Sequence, residues 1–205
     1  MISATKRDPV RTRQQLLDSA FREVHRAGFQ ATDLDTILQS AGVTKGALYH
    51  HFANKEALGY ALVDEVITRV MKSKWLGPLE QADNPVDQLL QIVEATPAGP
   101  DTMRYGCPLN NLAQEMSAVD EGFRARLARI FQEWIAGVAD ALRRGQTDGV
   151  VRADLDPQES ATFFIAAYEG YLSLAKSTQD ERMLTAGKRA LARHLDSLRP
   201  HVPKH

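Results

Sequence analysis

The stretch that decides the fold reads DLDTILQSAGVTKGALYHHFANK (33–55). Two short runs with apolar residues at helical spacing flank Ala41-Gly42-Val43. Leu34, Ile37, Leu38 and Ala41 share one face of a helix that Asp33 caps and Gly42 stops. Thr44 caps a second helix that runs to about His51. Gly42 supplies the left-handed backbone of a tight turn, and Val43 plugs the angle between the helices. This is the layout of a helix-turn-helix. Leu48 points back into the small core, so Lys45, Gly46, Tyr49 and His50 fall on the other face. That face is polar, aromatic and short, as a major-groove reader requires. Thr44 and the first-turn amides suit phosphate, Lys45 suits phosphate or a guanine edge, and small Gly46 and Ala47 permit close approach.

Ahead of this stretch, Leu16, Leu17, Ala20, Phe21 and Val24 mark a first helix over residues 11–27, closed by Gly28. After it, Asn54 opens a long fourth helix with Leu58, Ala61, Leu62, Val66, Ile67 and Val70 inward. Further helices are predicted over 86–94, 109–116, 121–144, about 157–177 and 181–198, with a Pro- and Gly-rich loop over 96–106. The helix that starts at Asp156-Pro157-Gln158-Glu159 is apolar almost all round, from Phe163 to Leu174. No strand, repeat or low-complexity segment is legible. The fold class is all-α: an N-terminal three-helix module over residues 1–52 and a larger helical domain over 53–205.

Composition agrees with a globular chain. Hydrophobic residues make up 43% and charged residues 25% of 205. No run approaches the roughly 20 apolar residues of a membrane span, and the first residues lack a signal peptide's apolar run, which predicts a cytoplasmic protein. A single cysteine, Cys107, leaves no disulfide framework. The net charge of -1 hides an asymmetry. Up to residue 60 there are 8 bases against 6 acids, a net +2, which leaves -3 for the rest.

The run Ala41-Gly42-Val43-Thr44-Lys45-Gly46-Ala47-Leu48-Tyr49-His50-His51-Phe52, followed by Asn54-Lys55-Glu56, resembles the N-terminal module of the TetR family of transcriptional repressors. The resemblance covers about residues 11–62, including Gly28-Phe29 and Thr32. It implies that Tyr49 and Lys55 hold backbone phosphates while the start of the third helix reads bases. The expected DNA-binding set is therefore Thr44, Lys45, Gly46, Ala47, Tyr49, His50 and Lys55. One departure is that the second helix carries no Arg or Lys. Its exposed face is Asp35, Thr36, Gln39 and Ser40.

The resemblance also implies an effector pocket in the larger domain. One third helix covers only a few base pairs, so a homodimer on a palindromic double-stranded DNA operator is expected, with a small molecule releasing the protein from it. Aromatic and sulfur-bearing residues there, Met71, Trp75, Met103, Cys107, Phe131, Trp134, Phe164 and Tyr168, are candidates to line the pocket, beside their simpler reading as core. The dimer surface is expected on the last two long helices. Cys107 precedes Pro108 at a helix start, where amide hydrogens and the helix dipole favour a thiolate and hence a sensing role. The simpler reading, which takes precedence, is a small, buried, inert side chain that happens to start a helix.

Metal, cofactor and enzymatic chemistry are not expected. Adjacent His50 and His51 diverge by about 100° on a helix, and no third ligand is in sight. There is no nucleophile elbow or phosphate-binding glycine loop. Glu115, Glu133 and Glu169 are read as solvated or salt-bridged acids. An architectural DNA binder without a ligand is the remaining alternative.

Overall fold

The computed structural model describes residues 8–200, and all regular structure among them is helical. Helix α1 (Pro9–Ala27) starts two residues earlier than the apolar spacing predicts. The reason is a local cap: Asp8 Oδ1 accepts the Val10 N–H at 3.0 Å, and Pro9 stands where no donor is needed. Helix α2 (Leu34–Ala41) ends at Gly42, whose φ of 64° is the left-handed turn expected there. Asp33 takes the N-cap position, but its side chain makes no capping bond. Helix α3 (Lys45–His51) is capped by Thr44, whose Oγ1 accepts the Ala47 N–H at 3.3 Å.

Helix α4 covers residues 55–80 and opens under Asn54, whose Oδ1 accepts the Ala57 N–H at 2.7 Å. It widens to π-helix over Leu62–Ile67 and again over Lys72–Leu76. Val70, expected inward with Ile67, is instead 37% exposed. The wide turns bond five residues apart rather than four, which shifts the phase of the apolar stripe. Helix α5 (Pro85–Glu94) follows the Asn84 cap. The predicted 96–106 loop contains a helix, α6 (Pro100–Tyr105), because Pro100 after Gly99 is a favourable first residue rather than a breaker. Then come α7 (Pro108–Met116), α8 (Glu121–Thr147), α9 (Pro157–Thr178) and α10 (Glu181–Asp196). Asp156 caps α9 as expected, accepting from the amides of Gln158 and Glu159. No helix among the described residues is long and apolar enough to cross a membrane.

The chain divides into two compact units. The first takes the described residues up to Arg69 together with Asn111–Leu127. Its core is built on Leu16, Leu17, Ala20, Ile37, Leu48 and Leu58, all fully buried. Gly59 is required here: a Cβ at that position would lie 2.5 Å from both Phe29 and Phe123, whose rings meet edge to face at 4.7 Å. Polar ties hold the same unit. Tyr60 donates to Asp120 at 2.9 Å, Arg126 Nε donates to Asp64 at 2.9 Å, and the Arg13 guanidinium forks onto Glu65.

The second unit takes Val70–Asn110 and the described residues from Ala128 onward. Within it α9 packs along α10, and α10 against α5. Trp75, Trp134, Phe164, Leu142, Leu184 and Leu195 are buried in its core. The apolar face of α9 is wider than the core it serves. Phe163 and Leu174 are 54% and 57% exposed.

Candidate DNA-binding face and effector site

In the first unit, α3 buries Leu48 completely and turns the opposite face outward. Thr44, Lys45, Gly46, Tyr49 and His50 are exposed and Ala47 is half-buried. Tyr49 is 48% exposed, a large ring left in solvent beside a lysine and a histidine. His51 is half-buried, and burial, followed by the charges of His50 and Arg13, holds its pKa below the ordinary value. Among the described residues no group of three His, Cys, Asp or Glu side chains is placed to hold a metal.

Lys55, at the start of α4, is half-buried. Its Nζ donates to the Gln30 carbonyl at 3.1 Å and lies 4.8 Å from the Phe29 ring centroid. The ammonium is therefore positioned on the turn between α1 and α2, and uses one of its three donors there. The outer face of α2 is Asp35, Thr36, Gln39 and Ser40, all exposed. The cation that this helix lacks is delivered from α1: Arg22 donates to Ser40 Oγ at 3.4 Å and to Ser19 Oγ at 2.9 Å. Nothing local in the sequence joins residues 22 and 40, which is why the DNA-binding set above omits Arg22.

In the second unit the structure brings Trp75, Trp134, Phe164 and Tyr168 into one aromatic cluster. Trp75 lies 4.7 Å from Trp134, 5.8 Å from Phe164 and 4.9 Å from Tyr168, centroid to centroid. Met71 is buried, whereas Met103 and Phe131 are half-buried; Met103 meets Gln179 through its main-chain carbonyl at 2.8 Å. Polar groups that the sequence reading passed over complete the cluster. Lys74 Nζ donates to Tyr168 Oη at 2.9 Å, and Tyr168 Oη lies 3.0 Å from Thr96 Oγ1. Thr96 in turn donates to the Ile92 carbonyl at 3.1 Å.

Two acids read as solvated or salt-bridged are neither. Glu115 caps backbone amides, its two oxygens each 2.8 Å from the nitrogens of Phe29 and Gln30. Glu169 is 6% exposed, and its oxygens meet no nitrogen or oxygen donor at hydrogen-bond distance, only the weakly donating Cys107 thiol beside them. Burial pushes its carboxyl up to about 7 against the pull of Cys107 and Lys74. The available signal was its place as the sole acid in the apolar run from Phe163 to Leu174.

Cys107 fits the inert-thiol reading and not the thiolate. The amides of Leu109 and Asn110 do pull its pKa down, but desolvation of the thiol and the nearby Glu169 carboxylate push it up by more. The thiol is therefore the stable form, and at this half-buried position the helix-start argument loses to desolvation beside an acid.

Three successive helices, the third capped and facing outward after a glycine turn, define a helix-turn-helix DNA-binding protein. Residues 16–62 match the family model for bacterial regulatory proteins of the tetR family, and residues 85–191 match the tetracyclin repressor-like C-terminal domain. The chain belongs to the TetR family of DNA-binding transcriptional regulators. The transcriptional regulator AcuR of Cereibacter sphaeroides is 30% identical over 183 residues, spanning 88% of this chain and 84% of AcuR. The HTH-type transcriptional repressor DhaR of Mycobacterium sp. is 29% identical, spanning 87% of this chain and 88% of DhaR. Among solved structures, the regulatory protein TetR from Rhodobacter sphaeroides superposes with a TM-score of 0.78 at 29% identity, covering 88% of this chain and 97% of that one.

Proposed function

We propose that this regulator is a repressor that binds a palindromic operator as a homodimer and is released by a small molecule. The reading rests on one observation above all: Leu48 anchors α3 while Thr44, Lys45, Gly46, Tyr49 and His50 stand exposed together. With Ala47 and Lys55 these form the DNA-binding set, within a reading module over residues 1–52. Thr44, Lys45, Gly46 and Ala47 sit at the start of α3, where a helix approaches base edges, and Tyr49 and Lys55 reach backbone phosphates. Arg22 joins them beside the face of α2.

A single α3 covers few base pairs, so two related by a dyad are needed for a selective site. The surface that supports a second copy is the apolar groove between α9 and α10, lined by Phe163, Ala167, Gly170, Leu174, Gly187 and Ala190. Small residues along both helices permit close approach, and Phe163 and Leu174 stay exposed in a single chain. The name of DhaR as a repressor supports the negative sign of regulation. The effector role of residues 53–205 is supported by the aromatic cluster and its polar rim.

Sequencing the DNA that the protein selects from a random pool tests this reading. The expected result is an inverted repeat whose half-sites are centred about one helical turn apart or a multiple of it. A single asymmetric half-site, or no enrichment at all, would overturn it and favour an architectural binder.

A further inference from the structure

Glu169 is a buried acid in an apolar helix whose oxygens meet no nitrogen or oxygen donor, the weakly donating Cys107 thiol lying beside it, and such a group demands an explanation. An ionised carboxylate stripped of water and left unpaired costs several kcal/mol, so it must take up a proton or find a partner. The groups around it are on four elements. Lys74 faces it from α4, Cys107 from the start of α7, Tyr168 and Tyr171 from α9 itself, and Lys188 on α10 acts on Lys74. Lys188 gives two of its three donors to the carbonyls of Glu94 and Thr96.

The hydroxyls beside Lys74 run in one direction. Thr96 gives its hydrogen to Ile92, so Tyr168 donates to Thr96 and accepts from Lys74. This chain holds the ammonium in place. Besides His194 Nε2, which lies at the groove between α9 and α10, two more polar atoms of the same unit, Trp134 Nε1 and Tyr171 Oη, are buried without partners at hydrogen-bond distance. The rings that carry them touch Tyr168, at 6.0 Å and 5.3 Å between centroids.

The donor and acceptor balance is lopsided. Lys74 and Trp134 can only donate, Tyr171 can donate, and Glu169 donates whenever it is protonated. The fixed charge beside Glu169 is positive. A ligand that satisfies these groups carries acceptors and a negative charge on an apolar body. An amine would suit Glu169 but would face the ammonium of Lys74.

We propose that Lys74, Trp134, Glu169 and Tyr171 form the site for a small organic carboxylate, bound together with a proton on Glu169. The proposal rests on the reading of the chain as an effector-controlled regulator and names the chemistry of the effector. Burial already brings Glu169 to about 7, so the proton is available near neutrality. A bound anion raises its affinity for that proton further, and it favours the charged form of Lys74, which burial alone disfavours.

The test is calorimetry and thermal shift on the full-length protein without DNA. Two matched sets of probes serve: benzoate, benzamide and benzylamine, and propionate, propionamide and propylamine. At least one carboxylate is expected to bind, and to bind better than its amide and amine. Its affinity is expected to fall about tenfold between about pH 6 and pH 8, following the protonated fraction of Glu169. Glu169→Gln should keep binding and flatten that profile. Lys74→Met should abolish binding while the variant still unfolds cooperatively.

The proposal is overturned if the amines bind in preference, with affinity rising with pH, or if none of the six binds at roughly 10 mM. It also fails if both variants leave carboxylate affinity and its pH profile unchanged. An amine that displaces operator DNA would end this proposal and leave the regulator reading standing. A carboxylate that binds as described without affecting DNA would do the reverse.

Discussion

The Glu115 carboxylate binds the main-chain N–H of Phe29 at 2.8 Å and reaches Gln30 N at the same distance, while Lys55 takes the Gln30 carbonyl from the other side. The turn between α1 and α2 is thus clamped by an acid and a base that lie far from it in sequence. Replacing Glu115 with Ala leaves two amides without their acceptor. We expect a loss of about 1–3 kcal/mol in stability from charge-assisted bonds to a partly buried turn, read by denaturant unfolding. Glu115→Gln should recover part of it, since its carbonyl oxygen still accepts one bond.

Lys55 stands at the same turn, and its two remaining donors are the basis for the phosphate role proposed for it. Lys55→Ala should weaken binding to every DNA sequence and reduce the salt slope by about 0.9, the release expected for one phosphate contact. A stability loss with an unchanged slope would make Lys55 a clamp for Gln30 and nothing more.

Tyr49 and Lys45 should behave differently from each other. Tyr49→Phe removes a single hydroxyl and should cost about 1 kcal/mol across all sequences. Lys45→Ala should alter the preference at particular base pairs if it reaches a guanine edge. Parallel selections on the two variants separate these outcomes.

Glu169 predicts a pH signature in stability. Its folded pKa of about 7 lies above the ordinary 4.5. Between those values the folded chain keeps a proton that the unfolded chain releases, so stability falls as pH rises through this window and levels off above it. The loss is on the order of 3 kcal/mol. Glu169→Gln removes the titration, so the variant should gain on the parent at about pH 8 and show little advantage at about pH 4 in paired thermal melts.

The groove between α9 and α10 gives the last test. Phe163→Glu with Leu174→Glu places two charges on a surface that a second copy would bury. Sedimentation should shift from dimer to monomer, and affinity for an inverted repeat should fall about tenfold or more as one reading helix is lost. An unchanged dimer would place the interface elsewhere.

The helix-turn-helix was legible because every signal that specifies it is local. Thr44 and Asn54 cap within three residues of themselves, Gly42 alone allows its turn, and Leu48 follows from helical spacing. The later helices were legible for the same reason wherever Asn84 or Asp156 marked a start. The phase of α4 was not, because its π-helical turns depend on how the helix packs. The aromatic cluster of the second unit was only half legible. Trp75, Trp134, Phe164 and Tyr168 announce themselves as large apolar residues, and burial gathers such residues wherever the chain allows. What surrounds Glu169 could not be read in the same way. An acid on a helix looks alike in sequence whether it meets water, a base or a buried amine. Lys74 reaches Tyr168 across 94 positions, and Glu115 reaches Phe29 across 86. Whether a charge is solvated, clamped or stranded is set by neighbours that only the folded chain brings together.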